Sequence, residues 1–266
     1  MTKLPTVRLL ECEVGENGDG VFRLLVDGQF VKYLTVEPGI YEVDDLCFEP
    51  SLVRILPKFP TGNWNEAFVA RNDDDGQPYF ACFNLTQFPS VQNAWHKTLV
   101  EYTDMTLGKY LRRGVYEAKC PGFHDLVVAK FATFNHEIQY LENETTAYQW
   151  LDGYVIGPQF LGHITEHGRV IGFLMERITD ARHAGPEDLQ ACQEVLSRLH
   201  TLGLRHGDTN LHNFLIREGK AILIDFDTTR KCDDEESLRT ELEMLPVCLA
   251  DKSGRGGTTV SYSEGE

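Results

Sequence analysis

The chain is short of positive charge. Its 25 Lys and Arg stand against 41 Asp and Glu, a formal net charge of −16. A field of that sign repels nucleic acid and anionic lipid, so neither nucleic acid nor a membrane is expected as a partner. Any site for a polyanion must then bring its own cations. Long apolar runs are missing too: nothing approaches the ~20 consecutive apolar residues that a membrane span needs. The first stretch, Met1 to Glu16, lacks the apolar core of a secretory leader and soon turns acidic. Cysteine occurs without pattern. There are seven, an odd number, with no CxxC and no Cys/His metal spacing, which argues against a disulfide framework or a zinc site. Reduced thiols in the cytoplasm or nucleus are the expectation.

What is present suits a folded protein. Apolar residues make up 42% of a 266-residue chain, enough for one large domain or a domain with an added module. Residues 1–98 form a β-rich N-terminal segment. Val21 to Val26 and Phe30 to Val36 are strand candidates around an Asp27-Gly28 turn. The one eye-catching pair there, Trp95-His96, is expected as a packed tryptophan with a surface histidine.

From about residue 99 the texture changes, and 99–250 is expected as one domain. Gly114 to Lys119 and Leu126 to Phe131 have strand character. Glu137 to Leu151 has helical spacing, with Ile138, Leu141, Tyr148 and Leu151 on one side. Gln159 to Ile164 and Val170 to Ile178 are two further strands. Pro186-Glu187-Asp188 opens a helix whose stripe runs from Leu189 to Leu202, and Gly203 stops it. A strand at Ala221 to Ile224 follows, then a helix from Glu235 to Leu245 that Pro246 should end or kink. The Gly/Ser-rich residues 251–266 are expected to be a disordered tail.

The chemistry concentrates in His206-Gly207-Asp208-Thr209-Asn210-Leu211-His212-Asn213 and in Ile224-Asp225-Phe226-Asp227. An aspartate with an asparagine five residues on, behind an apolar helix, has the catalytic-loop spacing of kinase-like enzymes. An acid-ended strand about a dozen residues later supplies a metal ligand. Phosphoryl transfer concentrates negative charge, so such a site needs hard oxygen donors for Mg²⁺ and a group that positions the acceptor hydroxyl. On this reading Asp208 orients the acceptor proton while Asn213 and Asp225 hold the metal, with Asp227 either a further ligand or facing solvent.

Lys130 ends the apolar run Val127-Val128-Ala129, where an unpaired charge is costly. Of the acids on the next helix, Glu144 projects from the apolar side and is the expected ion-pair partner. Glu137 suits the helix start, and Glu142 is rotated toward solvent. Phe173 to Ile178 resembles the strand and hinge that hold adenine. Met175 would border the back of the pocket, and backbone groups near Glu176 and Ile178 would meet the base.

Taken together these residues resemble the protein-kinase-like superfamily over about 100 to 250. HGD in place of HRD is closer to the aminoglycoside/choline-kinase-type branch and to some small atypical kinases. The wider pattern (LPKFPTGNWN, VVAKFA, ENETTAYQWL, HGDTNLHNFLI, LIDFD) also resembles a family of fungal kinase-like proteins. The resemblance implies an α+β, bilobal protein-kinase-like fold with a minimal C-lobe behind the β-rich segment. It implies ATP and Mg²⁺ as cofactors and transfer of the γ-phosphate to an unidentified hydroxyl acceptor. The alternative is a nucleotide-binding pseudokinase that serves as a scaffold.

Departures from the pattern are informative. No GxGxxG precedes Lys130, so phosphates would meet backbone amides with Lys109, Arg112 or Arg113, unless those three are simply solvated. Gly207 stands where the catalytic-loop arginine would, removing the usual counter-charge for a phosphorylated activation loop. Few residues follow Asp225 and no APE motif appears, which leaves little groove for a peptide. The N-terminal segment could instead cover the cleft or bind a protein partner.

Overall fold

The chain divides into two compact units, 1–89 and 90–266. The computed structural model describes residues 5–16, 18–251 and 253. The expected disordered tail therefore falls, apart from Asp251 and Ser253, outside the described residues. The division lies a few residues ahead of the compositional shift at 98/99, because 90–98 bond into the second unit. Val91 N–H donates to the Val170 carbonyl (2.9 Å) and His163 N–H to the Thr98 carbonyl (2.9 Å).

The first unit is a five-stranded sheet in sequential order: β1 (Val7–Val14), β2 (Gly20–Val26), β3 (Phe30–Val36), β4 (Glu66–Arg71) and β5 (Pro78–Asn84). The β2–β3 hairpin turns at Asp27 and Gly28, with φ of 53° and 69°, the positive pair that matches the twist of the flanking strands. β3 and β4 are parallel, so the chain must cross over between them. It does so through two helices, α1 (Val43–Cys47) and α2 (Glu49–Ile55). Strand signals alone missed both. Each buries a single residue, Leu46 or Leu52, too few to show a helical period. Phe22, Leu24, Leu34, Val36, Trp64 and Val69 complete this core.

The second unit opens with a six-stranded sheet. Its members are β6 (Leu99–Glu101), β7 (Thr106–Arg112), β8 (Val115–Lys119), β9 (Val127–Phe131), β10 (Phe160–Glu166) and β11 (Arg169–Glu176), in the order β6-β10-β11-β9-β8-β7. Helix α3 (Ile138–Leu151) packs on this sheet. Gly172 of β11 lets β9 approach: a Cβ there would lie 2.2 Å from the Lys130 carbonyl oxygen.

The helical part holds a short strand β12 (Arg182–His183), helix α4 (Leu189–Thr201) and strand β13 (Leu204–Arg205). The hairpin β14 (Phe214–Arg217)–β15 (Lys220–Leu223), strand β16 (Arg230–Lys231) and helix α5 (Glu235–Ala250) complete it. With the six-stranded sheet, these elements give the second unit a bilobal, protein-kinase-like architecture. Pro246 does not end α5. Leu245 and Leu249 are fully buried on either side of it, and that packing outweighs the hydrogen bond proline cannot make. His96 is no surface histidine. It is half-buried, its N–H donates to His163 Nε2 (3.1 Å), and its Nδ1 accepts from Thr98 N–H (3.2 Å). No described helix is long and apolar enough to cross a membrane.

Candidate active site

Between the sheet and the helical part of the second unit lies a cavity of about 340 Å³. Leu111, Val115, Val128, Met175, Leu215 and Ile224 give it apolar walls, and charged groups gather at one end: Arg112, Lys130, Glu144 and Asp225. The β-strand alternation of β9 sends Lys130 inward. Its Nζ lies 2.5 Å from Glu144 Oε2 and 2.5 Å from Asp225 Oδ1.

Glu144 is held on the buried face of α3 and is 1% exposed. Its Oε1 also accepts the Phe226 N–H (3.2 Å), which ties the lysine pair to the residue after Asp225. The other two acids have different work. Glu137 accepts the Thr133 and Phe134 N–H groups (2.6 and 3.1 Å) ahead of the helix. Glu142, expected in solvent, accepts from the Gln92 and Asn93 amides (2.5 and 3.3 Å) and fastens the segment that leads into β6.

Asp225 sits in left-handed backbone, φ 67° and ψ 64°, a conformation aspartate tolerates better than branched residues. Besides Lys130 it receives a bidentate pair from Arg112, Nη1 to Oδ2 at 2.9 Å and Nη2 to Oδ1 at 2.8 Å. Burial alone would raise its pKa. The charges of Lys130 and Arg112 prevail and hold it well below the usual carboxylate range. Burial of Lys130 opposes its charge, yet Glu144 and then Asp225 prevail and its pKa is raised. Burial pushes Glu144 upward, with Lys130 opposing. Asp227 is half-buried, and burial followed by the neighbouring Asp225 charge raises it.

The loop from His206 to Asn213 is built around its backbone. Gly207 has φ +89°, and a Cβ there would lie 3.0 Å from the Thr228 carbonyl oxygen, so glycine fits for steric reasons. His206 is fully buried and its pKa lowered, chiefly by burial. Its Nδ1 accepts the Asp208 N–H (3.3 Å), which leaves Nε2 to donate to the Ile224 carbonyl (3.1 Å). The ring thus joins Asp208 to the residue that precedes Asp225. Asn213 Nδ2 donates to the Asp208 carbonyl (2.9 Å) and to Asp208 Oδ2 (3.1 Å), and Asn210 Nδ2 donates to the same Oδ2 (2.9 Å).

Glu241 of α5, which sequence reasoning passed over, anchors this loop from below. Its Oε1 accepts Gly207 N–H (2.6 Å), and its Oε2 accepts His206 N–H (3.1 Å) and meets His200 Nε2 (2.8 Å). The only local signal was an acid at 241 on the side of the helix shared with Leu245 and Leu249. Met175, Glu176 and Ile178 all line the cavity. Tyr148 Oη donates to Met175 Sδ (3.3 Å). The Glu176 amide is already bonded to the Gln159 carbonyl (2.8 Å), whereas Ile178 lies just past the end of β11. Arg177 Nε bonds Glu117 Oε1 (2.7 Å) across the cavity mouth. Hard oxygen donors at one end and an apolar slot at the other suit Mg²⁺ and a flat base.

Residues 177–246 match the family described as Lipopolysaccharide kinase (Kdo/WaaP) family. The chain is 30% identical over 77 residues to a "Probable bifunctional tRNA threonylcarbamoyladenosine biosynthesis protein" of Methanoculleus marisnigri, covering 29% of this chain and 14% of that one. It is 37% identical over 62 residues to the "KEOPS complex subunit Bud32" of Pyrococcus abyssi, covering 22% of this chain and 28% of the relative. The chain thus spans less than a third of the length of these curated relatives. Among solved structures, the Cydia pomonella granulovirus kinase PK-1 is similar at 17% identity and a TM-score of 0.36, over 48% of this chain and 55% of that one. The sheet order and lobe arrangement of the second unit, together with the family match over 177–246, support a protein-kinase-like fold.

Proposed function

We propose that this chain is an ATP- and Mg²⁺-dependent phosphotransferase that moves the γ-phosphate to a hydroxyl acceptor, on a small molecule or a protein serine or threonine. The observation that carries the reading is the convergence of Lys130, Glu144, Asn213 and Asp225 on one apolar-walled cavity, with Asp208 bonded to Asn213 at its edge. Asn213 and Asp225, with Asp227 as a third donor, would hold Mg²⁺, which when bound offsets phosphate charge. Lys130, kept in place by Glu144, supplies the cation for the inner phosphates. Arg112 stands in for the absent glycine-rich loop, reaching from the end of β7 as a fork suited to phosphate oxygens. The base lies against Met175 and takes the Ile178 amide, since that of Glu176 is engaged. Asp208 orients the acceptor hydroxyl and receives its proton.

The HGD signature favours the aminoglycoside/choline-kinase-type branch, with the fungal kinase-like family a narrower possibility of the same kind. One relative carries a name from tRNA threonylcarbamoyladenosine biosynthesis, another that of a KEOPS complex subunit, and the family that of a lipopolysaccharide kinase. The −16 formal charge speaks against a nucleic acid acceptor. The same charge, and the unpatterned cysteines, favour a cytoplasmic or nuclear protein without membrane association. The first unit would bind a protein partner.

Thermal unfolding with and without Mg·ATP tests the reading, beside Asp225→Asn. Ligand at a hundred times its dissociation constant stabilises by ~2.7 kcal/mol, roughly 5–10 °C here. A magnesium-dependent shift that vanishes in Asp225→Asn supports the site, and no shift at millimolar Mg·ATP refutes it. A second reading, a nucleotide-binding pseudokinase scaffold, draws on the Arg112 clasp that already satisfies Asp225. Turnover abolished by Asp208→Asn, with nucleotide binding intact, decides for the enzyme.

A further inference from the structure

Lys32 lies on β3, the middle strand of the first unit's sheet, yet it is only 8% exposed. Its Nζ sits 3.9 Å from the centroid of the Trp64 ring and 6.0 Å from that of Phe30, and it donates to the Trp64 carbonyl oxygen. An ammonium has three donors, and one carbonyl with one ring face leaves its charge under-compensated. Among the described residues no carboxylate lies within ion-pair distance of it. Burial accordingly pulls its pKa down with no opposing partner. The folded unit thus keeps a cation in an aromatic setting and gives it no anion of its own.

A cavity of about 430 Å³ opens onto this ammonium, a size that suits a small ligand. Its walls are Phe30, Phe59, Pro60 and Trp64, with the Thr61-Gly62-Asn63 turn at the edge. Phe59 and Trp64 lie 5.9 Å apart by ring centroids, and Phe30 is half exposed, so a flat apolar body would find faces to pack on. Asp27 is on the same lining, with its Oδ1 accepting the Thr6 N–H (2.9 Å). The lining already carries the Asp27 charge, so its single ammonium suits a monoanion. A phosphate dianion would bring a second negative charge with no cation to meet it.

We propose that the first unit holds a binding site for a carboxylate carried on a flat, apolar body, with the Lys32 ammonium as the anion's partner. The site is separate from the cavity at Lys130 and does not rest on the kinase reading.

Ligand-observed NMR titration of the full chain tests this, with 3-phenylpropionate, its uncharged amide and inorganic phosphate as probes. The acid is expected to bind at millimolar concentration or below, the amide about tenfold more weakly, and phosphate not at all. Lys32→Met should bring the acid down to the level of the amide, and Trp64→Leu should weaken both. A short peptide ending in phenylalanine, with free and with amidated terminus, distinguishes a chain end from a free small acid, and carboxylate-dependent binding of either supports the site. Equal binding of acid and amide, no binding of any acid at millimolar concentration, or binding of phosphate as tight as that of the acid overturns it. If Lys32→Met does not fold, the acid, amide and phosphate comparison on the unaltered chain still decides.

Discussion

Glu241→Gln is the substitution that most directly probes how the loop from His206 to Asn213 is held. The carboxylate is 6% exposed and accepts from two backbone amides, Gly207 at 2.6 Å and His206 at 3.1 Å, besides meeting His200 at 2.8 Å. A glutamine keeps the shape but has one acceptor oxygen and one NH₂, so whichever way it turns, a donor faces a backbone N–H. Losing one charge-assisted bond and leaving a buried donor unmet costs about 2–4 kcal/mol. That corresponds to a fall in Tm of roughly 5–15 °C for a unit of this size. Glu243→Gln, exposed on the same helix with Arg239 Nε at 3.6 Å from its carboxylate, is the control and should move Tm by no more than about 1 °C. The pH dependence adds a second check. Burial opposes ionisation of Glu241, but His200 and the Gly207 and His206 amides prevail and its pKa is lowered. Its stabilisation is therefore present above the ordinary carboxylate range and lost as pH falls through the lower folded value. The gap between the unaltered chain and Glu241→Gln should close only in that acid window. Scanning calorimetry and urea unfolding measure both. A Tm change as small as the control's, or a gap independent of pH, would refute the anchoring role.

Lys130→Met should destabilise by about 3–5 kcal/mol, because it strands Glu144 as a buried charge. Adding Glu144→Leu should restore a large part, and simple additivity in urea unfolding would count against the pair. Gly172→Ala would place a methyl 2.2 Å from the Lys130 carbonyl oxygen and 2.5 Å from Phe131 Cα. Since backbone must move, a loss of about 3 kcal/mol or of soluble protein is expected, and a neutral result in a thermal melt contradicts the close β9–β11 approach. Burial, with a smaller contribution from His96, lowers the pKa of His163 to about 4. Between that value and the ordinary 6.5 the unfolded chain binds a proton the folded one does not, so stability rises with pH across this window. Going from about pH 5 to pH 7 should add about 2 kcal/mol, and His163→Gln should flatten that slope. An unchanged slope in urea midpoints would sink the argument.

Several features could be read because they are local. Short apolar-rich runs in 21–26, 30–36 and 127–131 give strands, and the 3.6-residue stripe in 137–151 gives α3. The choice of Glu144 over Glu137 and Glu142 needed only helix geometry, and the structure puts it against Lys130. Periodicity failed where elements are brief. The seven-residue α2 shows one buried side chain, and α5 continues past Pro246 because Leu249 is packed beyond it. Nor did any local feature single out Glu241, whose partners lie 34 and 35 residues earlier.

By itself, then, the sequence determined which residue types the proposed phosphoryl-transfer site can draw on and in what order, since loop spacing, strand alternation and helical phase all act within a few residues. The tertiary structure alone decided where interchangeable side chains go. Lys109, Arg112 and Arg113 look alike in the chain, yet Arg112 closes on Asp225 across 113 residues, and Lys32 is buried against Trp64 rather than solvated. Such pairings depend on which atoms the packed core brings within about 3 Å, at a chain separation over which a local pattern carries no information.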